Sequence, residues 1–341
     1  MVLRRLALTA LLVIASLGIA VAKDKVVIAE PNWTGASTIA HVLAAVMEQY
    51  LDVDAEIVAM DSAVAFTAMD KGDGSVDVYP DLWSQNRQAE WIKFIAPGSR
   101  ESIIANAKPY KGTEGIFVPS YVQEEHNIRK VEDLANPEIA KLFDTDGDGK
   151  GEYWPGGPGW STTDIEFVKL KSYGLDKYYQ PFVVEQWVFE AKLDAAIKLK
   201  KPVVFYFWSP EWIHAAYDLR RLEEPPFNGY AMDSAKGGQG YNPDGCYKMI
   251  QPQDDPEWLA HSSVTCQKPD VDVYVLHTSE LAKRLPRVAK FLNQVTLTPE
   301  MVNEWIYKVS KGNTEPDQMA KDWVGAHGDI VKNEWLAGVT G

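Results

Sequence analysis

The chain has 341 residues, with 48 acidic against 34 basic side chains and a formal net charge of −14. That excess is not relieved by any basic run or basic–aromatic interleaving, which excludes nucleic acid and anionic membrane surfaces as natural partners. The length beyond the first 22 residues, about 320, is more than a single hydrophobic core usually serves, so two lobes are expected.

Residues 1–22 read as a removable export signal. Arg4 and Arg5 give a positive start, Leu6 to Ile19 an apolar run too short for a comfortable bilayer span, and Ala20-Val21-Ala22 a small-x-small cleavage pattern. No cysteine follows the run, which argues against lipid attachment. The expectation is an exported, periplasmic protein in an oxidising space.

Lys25–Ala29 predicts a strand stopped by Glu30-Pro31. Apolar residues at helical spacing (Ile39, Val42, Leu43, Val46, Met47) predict a helix over Thr38–Tyr50, with Ser37 as its N-cap. Asp54–Met60 reads as a strand, Ala63–Met69 as a helix and Val76–Tyr79 as a strand ending at Pro80. This alternation is the α/β signature, with parallel pairing and right-handed crossovers. A further strand starts at Gly115–Pro119. Helices are expected at Val131–Leu134, Asp164–Tyr173 and Glu190–Lys198, and Val203–Phe207 is a strongly apolar strand.

From Glu223 to Pro269 the chain is rich in Gly, Pro, Asn and Asp, and carries the only two cysteines, Cys246 and Cys266. A structureless run of this length inside a domain points to a functional or stapled excursion. In an oxidising compartment a Cys246–Cys266 disulfide is expected, with a pair of free thiols as the alternative; no nearby histidine cluster makes a zinc site. A strand at Val271–Leu276 and helices at Leu281–Val295, Pro299–Lys308, Pro316–His327 and Ile330–Trp335 complete the chain.

Of 12 tryptophans, four sit at strand ends in short motifs: Asn32-Trp33-Thr34-Gly35, Asp81-Leu82-Trp83, Gly159-Trp160-Ser161 and Phe207-Trp208-Ser209-Pro210. Strand ends are where an α/β protein builds its ligand crevice. Any one of these rings taken singly reads as a core or lid residue; the functional reading rests on the recurrence. Rings converging on one cavity suit a methylated ammonium group, which has no N–H to donate and is held through the electron-rich ring faces. Trp33 and Trp160 also precede helices, whose free N–H groups suit an oxygen of the same ligand.

Together with Asp77-Val78-Tyr79-Pro80-Asp81-Leu82-Trp83, Phe117-Val118-Pro119, the stretch Ile139 to Lys150 and Gly157-Pro158-Gly159-Trp160, these motifs make the mature chain resemble the substrate-binding proteins of ABC importers for glycine betaine, proline betaine and choline. The resemblance implies an α/β, type II periplasmic binding protein fold, with a ligand cleft between two α/β lobes. One lobe would comprise residues 23–113 and 218–341, the other residues 114–217, with hinge segments near 110–116 and 215–225. It implies an aromatic box of Trp33, Trp83, Trp160 and Trp208, a small methylated amine as ligand, a membrane permease as partner and a monomeric binding protein. Two departures concern specificity. Glu211 stands beside Pro210 where betaine and choline binders often carry histidine, and Glu114 falls where a choline binder has a pocket tyrosine. A cleft carboxylate would repel the carboxylate of betaine, suit a bare cation, or, if protonated by burial among rings, donate to trimethylamine N-oxide; the alternative for Glu114 is a solvated residue or an inter-lobe salt bridge. The expected order is therefore trimethylamine N-oxide, choline, then glycine betaine.

Asp144-x-Asp146-x-Asp148-Gly149, with Glu152 at the ninth position, has the oxygen spacing of a calcium loop, but Pro155 stands where the bidentate Glu belongs. A structural Ca²⁺ and an empty Asp/Gly turn are both open, and no other cofactor is called for. Nucleophile-elbow, metalloprotease, P-loop and dinucleotide motifs are missing. The rival from another class is an exported carbohydrate-active enzyme, with Glu114 and Glu211, or Asp81 and Glu114, as acid and base.

Overall fold

The computed structural model describes residues 23–236 and 240–339; the export-signal reading of residues 1–22 lies outside them. Eight strands form the path of one curled sheet: β1 (Asp24–Glu30), β2 (Val53–Ala59), β3 (Val78–Trp83), β5 (Tyr110–Pro119), β6 (Gly151–Trp154), β7 (Tyr179–Pro181), β8 (Val204–Ser209) and β12 (Val271–Thr278), in the order β2-β1-β3-β12-β5-β8-β6-β7. The short strands β4 (Ile103–Ala105) and β9 (Leu219–Arg221) join it on β12 and β5, while β10 (Tyr247–Lys248) pairs with β11 (Ser263–Val264) in a separate ribbon.

The two ends of the sheet follow the same logic. β1 is parallel to β2 and β3, and its Val26-Val27-Ile28-Ala29 run is wholly buried because helices cover it. The first helix, α1 (Thr34–Tyr50), lays Ile39, Val42, Leu43, Val46 and Met47 on that sheet. Behind it stand the helices Pro299–Ser310 and Pro316–Ala326, whose Trp305 and Trp323 meet edge-on at 4.9 Å, with Trp335 from the following segment stacked on Trp323 at 5.4 Å. At the other end β6 runs parallel to β7 and β8, near the helices Ser161–Ser172 and Gln186–Lys198.

One strand joins the ends. Tyr110, Lys111 and Gly112 of β5 pair with β12, and from Thr113 to Phe117 the same strand pairs with β8. The changeover falls between Gly112 and Thr113.

Three local expectations are corrected. α1 begins at Thr34, with Trp33 in extended conformation before it; Ser37 lies inside the first turn and donates to Glu30 Oε1 at 2.5 Å. β3 continues through Pro80 to Trp83, because the register against β12 shifts between Tyr274 and Leu276 and leaves room for a residue without an N–H. The Leu281–Val295 helix is two helices broken at Leu285-Pro286, since proline cannot continue the hydrogen-bond ladder.

The 223–269 excursion carries its own small core. Tyr230, Met232, Tyr247, Met249 and Val264 pack with Ile165 and Val168 of the Ser161–Ser172 helix. Cys246 and Cys266 are disulfide-bonded across 20 residues. Chain-entropy arithmetic gives such a loop about 3 kcal/mol. Beneath it Lys169 Nζ meets Glu224 Oε1 at 2.5 Å and Glu166 Oε1 at 3.6 Å, all three fully buried.

Candidate ligand pocket

A hollow between the two ends of the sheet is lined by Trp33, Trp83, Glu114, Trp160 and Trp208, with Ser62, Tyr79, Asp81, Asn86, Arg87, Ser161, Thr162 and Tyr206 completing the wall. All five residues singled out from sequence therefore face one space. Its cavity volume is about 50 Å³, several times the roughly 10–15 Å³ one water needs on the same measure. A compact ligand of a few heavy atoms is the right size.

Strand periodicity places most of the wall. Asp81 and Trp83 are two apart on β3, as are Tyr206 and Trp208 on β8, so each pair shares a face. Glu114 of β5 lies directly opposite Trp208. Backbone economy sets the rings: a Cβ on Gly112 would lie 2.5 Å from Trp83 Cζ3, and one on Gly157 would lie 2.7 Å from Trp160 Cε2. Trp160 stands edge-on to Trp33 at 5.9 Å and to Trp208 at 5.2 Å. Trp154 backs them, edge-on to Trp160 and stacked on Phe189 at 4.1 Å. Burial lowers the pKa of His214, whose Nε2 lies 2.8 Å from the Trp208 carbonyl oxygen.

Asp81 is 1% exposed. Its Oδ2 accepts from Trp33 Nε1 at 2.7 Å and from Trp83 Nε1 at 3.2 Å, and its Oδ1 accepts from Tyr110 Oη at 2.6 Å. Burial pushes its carboxyl above the ordinary aspartate value, while those three donors pull the other way. This residue entered the sequence reading only as a catalytic acid or base; the β3 alternation with Trp83 was the signal that could have found it.

Glu114 is salt-bridged, one of the readings left open for it. Lys268 Nζ lies 3.3 Å from its Oε1, which also accepts from Asn86 Nδ2 at 3.0 Å and from the Tyr206 hydroxyl. Its Oε2 and Asn86 Oδ1 are buried without a protein partner. Lys268 follows the disulfide by two residues, and nothing in a one-dimensional reading links it to Glu114. Arg87 is paired with Glu90 at 3.0 Å. Asp164 is pushed up to about 6 by burial, against the nearby Arg87.

Glu211 lies outside the hollow. It is buried under Gln186, which donates to Glu211 Oε1 at 3.1 Å and to Glu190 Oε1 at 2.8 Å. Burial first, then the neighbouring Glu190, raises its pKa well above the usual value. The Glu114–Glu211 acid–base pair is thus not assembled in the hollow, and Asp81 and Glu114 are each committed to other partners.

Contacts also bridge the two ends across the hollow's mouth. Asn32 Oδ1 accepts from Trp160 Nε1 at 2.7 Å, while its Nδ2 donates to Pro158 O at 3.2 Å and Glu185 Oε2 at 3.3 Å. The Thr34 amide donates to Gln186 Oε1 at 3.1 Å.

Carboxylate oxygens of Asp144, Asp146 and Asp148 lie within 4.8 Å of one another. Asp144 accepts from the Gly147 and Gly149 amides, and Glu152 is held by the Thr145 amide and hydroxyl rather than joining the three.

A family profile described as the substrate binding domain of ABC-type glycine betaine transport system matches residues 24–326. The glycine betaine/proline betaine-binding periplasmic protein of Salmonella typhimurium is 32% identical over 109 residues, which is 29% of this chain and 33% of that protein's length. Among solved structures, lactococcal OpuAC closed on glycine betaine is similar with a TM-score of 0.66 at 20% identity, covering 92% of this chain and 99% of that one. An ABC-transporter choline binding protein in complex with choline gives a TM-score of 0.66 at 19% identity, covering 93% and 92%. At such identities these two likenesses establish the fold: that of the periplasmic binding proteins.

Proposed function

The chain belongs to the family of substrate-binding domains of ABC-type glycine betaine transport systems, and from that premise we propose that it captures a small methylated ammonium compound in the periplasm and hands it to a membrane permease. The family is one of binding domains, so the carbohydrate-active enzyme reading is set aside. The observation that carries the proposal is the hollow itself, in which Trp33, Trp83, Trp160 and Trp208 surround one ligand-sized space. Ring faces attract a cation that cannot hydrogen-bond, each worth about 0.5–2 kcal/mol.

Glycine betaine and choline are named for the similar proteins, and trimethylamine N-oxide is the smallest candidate of the same chemistry. The order proposed is trimethylamine N-oxide, then choline, then glycine betaine, whose carboxylate the unpartnered Glu114 Oε2 would repel. Thr162, Ser161 and Arg87 stand ready for a ligand oxygen, and the free Glu114 Oε2 for a hydroxyl donor. Calorimetric titration with the three compounds tests the reading. The expected result is stoichiometric binding of at least one, and a several-fold loss in Trp208→Ala; no heat with any of them would overturn it. Much tighter binding of glycine betaine than of the other two would overturn the order.

The two ends of the sheet act as lobes that close on the ligand. Support comes from the Asn32 and Thr34 contacts across the mouth, which ligand would reinforce. The expected boundary put residues 218–341 with the first lobe, but the 223–269 excursion packs on the Ser161–Ser172 helix, so we place it with the β8-β6-β7 lobe instead. Among the described residues no helix is long and apolar enough to cross a membrane. Monomeric action is part of the same proposal. Binding needs no cofactor; a Ca²⁺ on Asp144, Asp146 and Asp148 would serve only the loop, and a melting temperature indifferent to chelator would set it aside.

A further inference from the structure

Three charged side chains line the hollow: Asp81, Arg87 and Glu114. Two have their counter-charge in the protein, Arg87 in Glu90 and Glu114 in Lys268. Asp81 has none: all three of its hydrogen-bond partners are neutral donors, and no ion pair among the described residues includes it. An ionised carboxylate this deeply buried is costly unless a cation completes it. Indole N–H groups only donate, so Oδ2, which accepts two of them, has no place for a proton; a proton on this carboxyl would have to sit on Oδ1, facing the Tyr110 hydroxyl, and a cation in the hollow favours its loss. With Asp81 ionised, both indole bonds are charge-assisted. They fix where the two rings stand and push electron density into them, which strengthens the attraction of their faces for a cation.

We propose that Asp81 is the counter-charge of the bound cation, acting partly through the Trp33 and Trp83 rings, and that it makes the pocket prefer a trimethylammonium group to the same shape without charge. The proposal rests on the functional reading above and adds to it the source of charge selectivity. Shape and apolar contact would treat a quaternary nitrogen and a quaternary carbon alike; an unpaired carboxylate would not. Glu114, its charge already matched by Lys268, is assigned no such part.

The test compares probes that differ only in that atom: choline against 3,3-dimethylbutan-1-ol, and glycine betaine against 3,3-dimethylbutanoate. Affinities are measured by calorimetry on the wild-type protein, Asp81→Asn and Tyr110→Phe, each checked for native circular dichroism. The wild-type protein is expected to prefer the charged member of at least one pair. Asp81→Asn is expected to cut that preference at least tenfold, mainly through weaker cation binding. Tyr110→Phe removes one hydrogen bond from Asp81 but keeps the charge, and is expected to retain most of the preference. An unchanged charged-to-neutral ratio in Asp81→Asn, or equal losses for both probes, overturns the proposal while leaving the binding function intact. A preference lost equally in both variants also overturns it, since it assigns the effect to structure rather than charge. Failure of the wild-type protein to bind either charged probe, or trimethylamine N-oxide, instead overturns the functional reading beneath it.

Discussion

Trp83 reaches the hollow because Gly112, two strands away on β5 across β12, has no side chain to stop it. Valine at 112 suits a strand, so Gly112→Val is expected to fold yet displace the indole. Titration with whichever methylated amine binds the wild-type protein should then show a loss of roughly 0.5–2 kcal/mol, that of one ring. Unchanged affinity would remove Trp83 from the box. At this scale the tryptophans were legible because each sits in a short motif at a strand end, and the five chosen residues do line one space. The charges were not. For Glu114 a salt bridge was one of the open readings, but its partner was not legible: Lys268 is 154 residues away and positioned by an excursion without regular pattern. Asp81 was within reach, since strand alternation puts it on the same face as Trp83.

Single elements carry their own liabilities, and the Ser161–Ser172 helix has the clearest. It carries Lys169, whose ammonium lies between Glu166 and Glu224 with both carboxylates buried. Tyr153 also donates to Glu166, and Tyr173 to Glu224. Removing the cation would leave two buried carboxylates unmatched, so Lys169→Ala is expected to lower unfolding stability by about 3–5 kcal/mol. Denaturant unfolding measures this, and a loss within error of zero would show the cluster to be solvated. The helix was legible from its spacing, but its pairing with the excursion was not. Elements with long apolar periodicity came through the sequence reading well. Those set by tertiary context did not: the 3-residue strand β7, the continuation of β3 through Pro80 and the extension of α1 back to Thr34 all depend on neighbours.

Across the whole molecule, Asn32 is the side chain that most directly spans the mouth, touching Trp160, Pro158 and Glu185 at once. Asn32→Ala removes those bonds, and Asn32 itself does not line the cavity. It is expected to speed ligand release several-fold, by roughly 1 kcal/mol for lost hydrogen bonds, with a smaller effect on association. Stopped-flow displacement checks this, and an unchanged release rate would mean that Asn32 does not hold the mouth shut. The α/β class was plain from the alternation of strands and helices in the first 80 residues. A crossing between lobes was expected at 110–116, but which strands β5 pairs with on either side was not legible, because a strand's two halves look alike in one dimension.

That shared strand has a thermodynamic corollary. Unfolding either end of the sheet strips β5 of half its ladder and bares the backbone on which the other end is zipped, so neither end can melt at leisure while its neighbour stays intact. Calorimetry should record a single cooperative endotherm, and adding ligand should move that peak upward whole rather than split a shoulder from it.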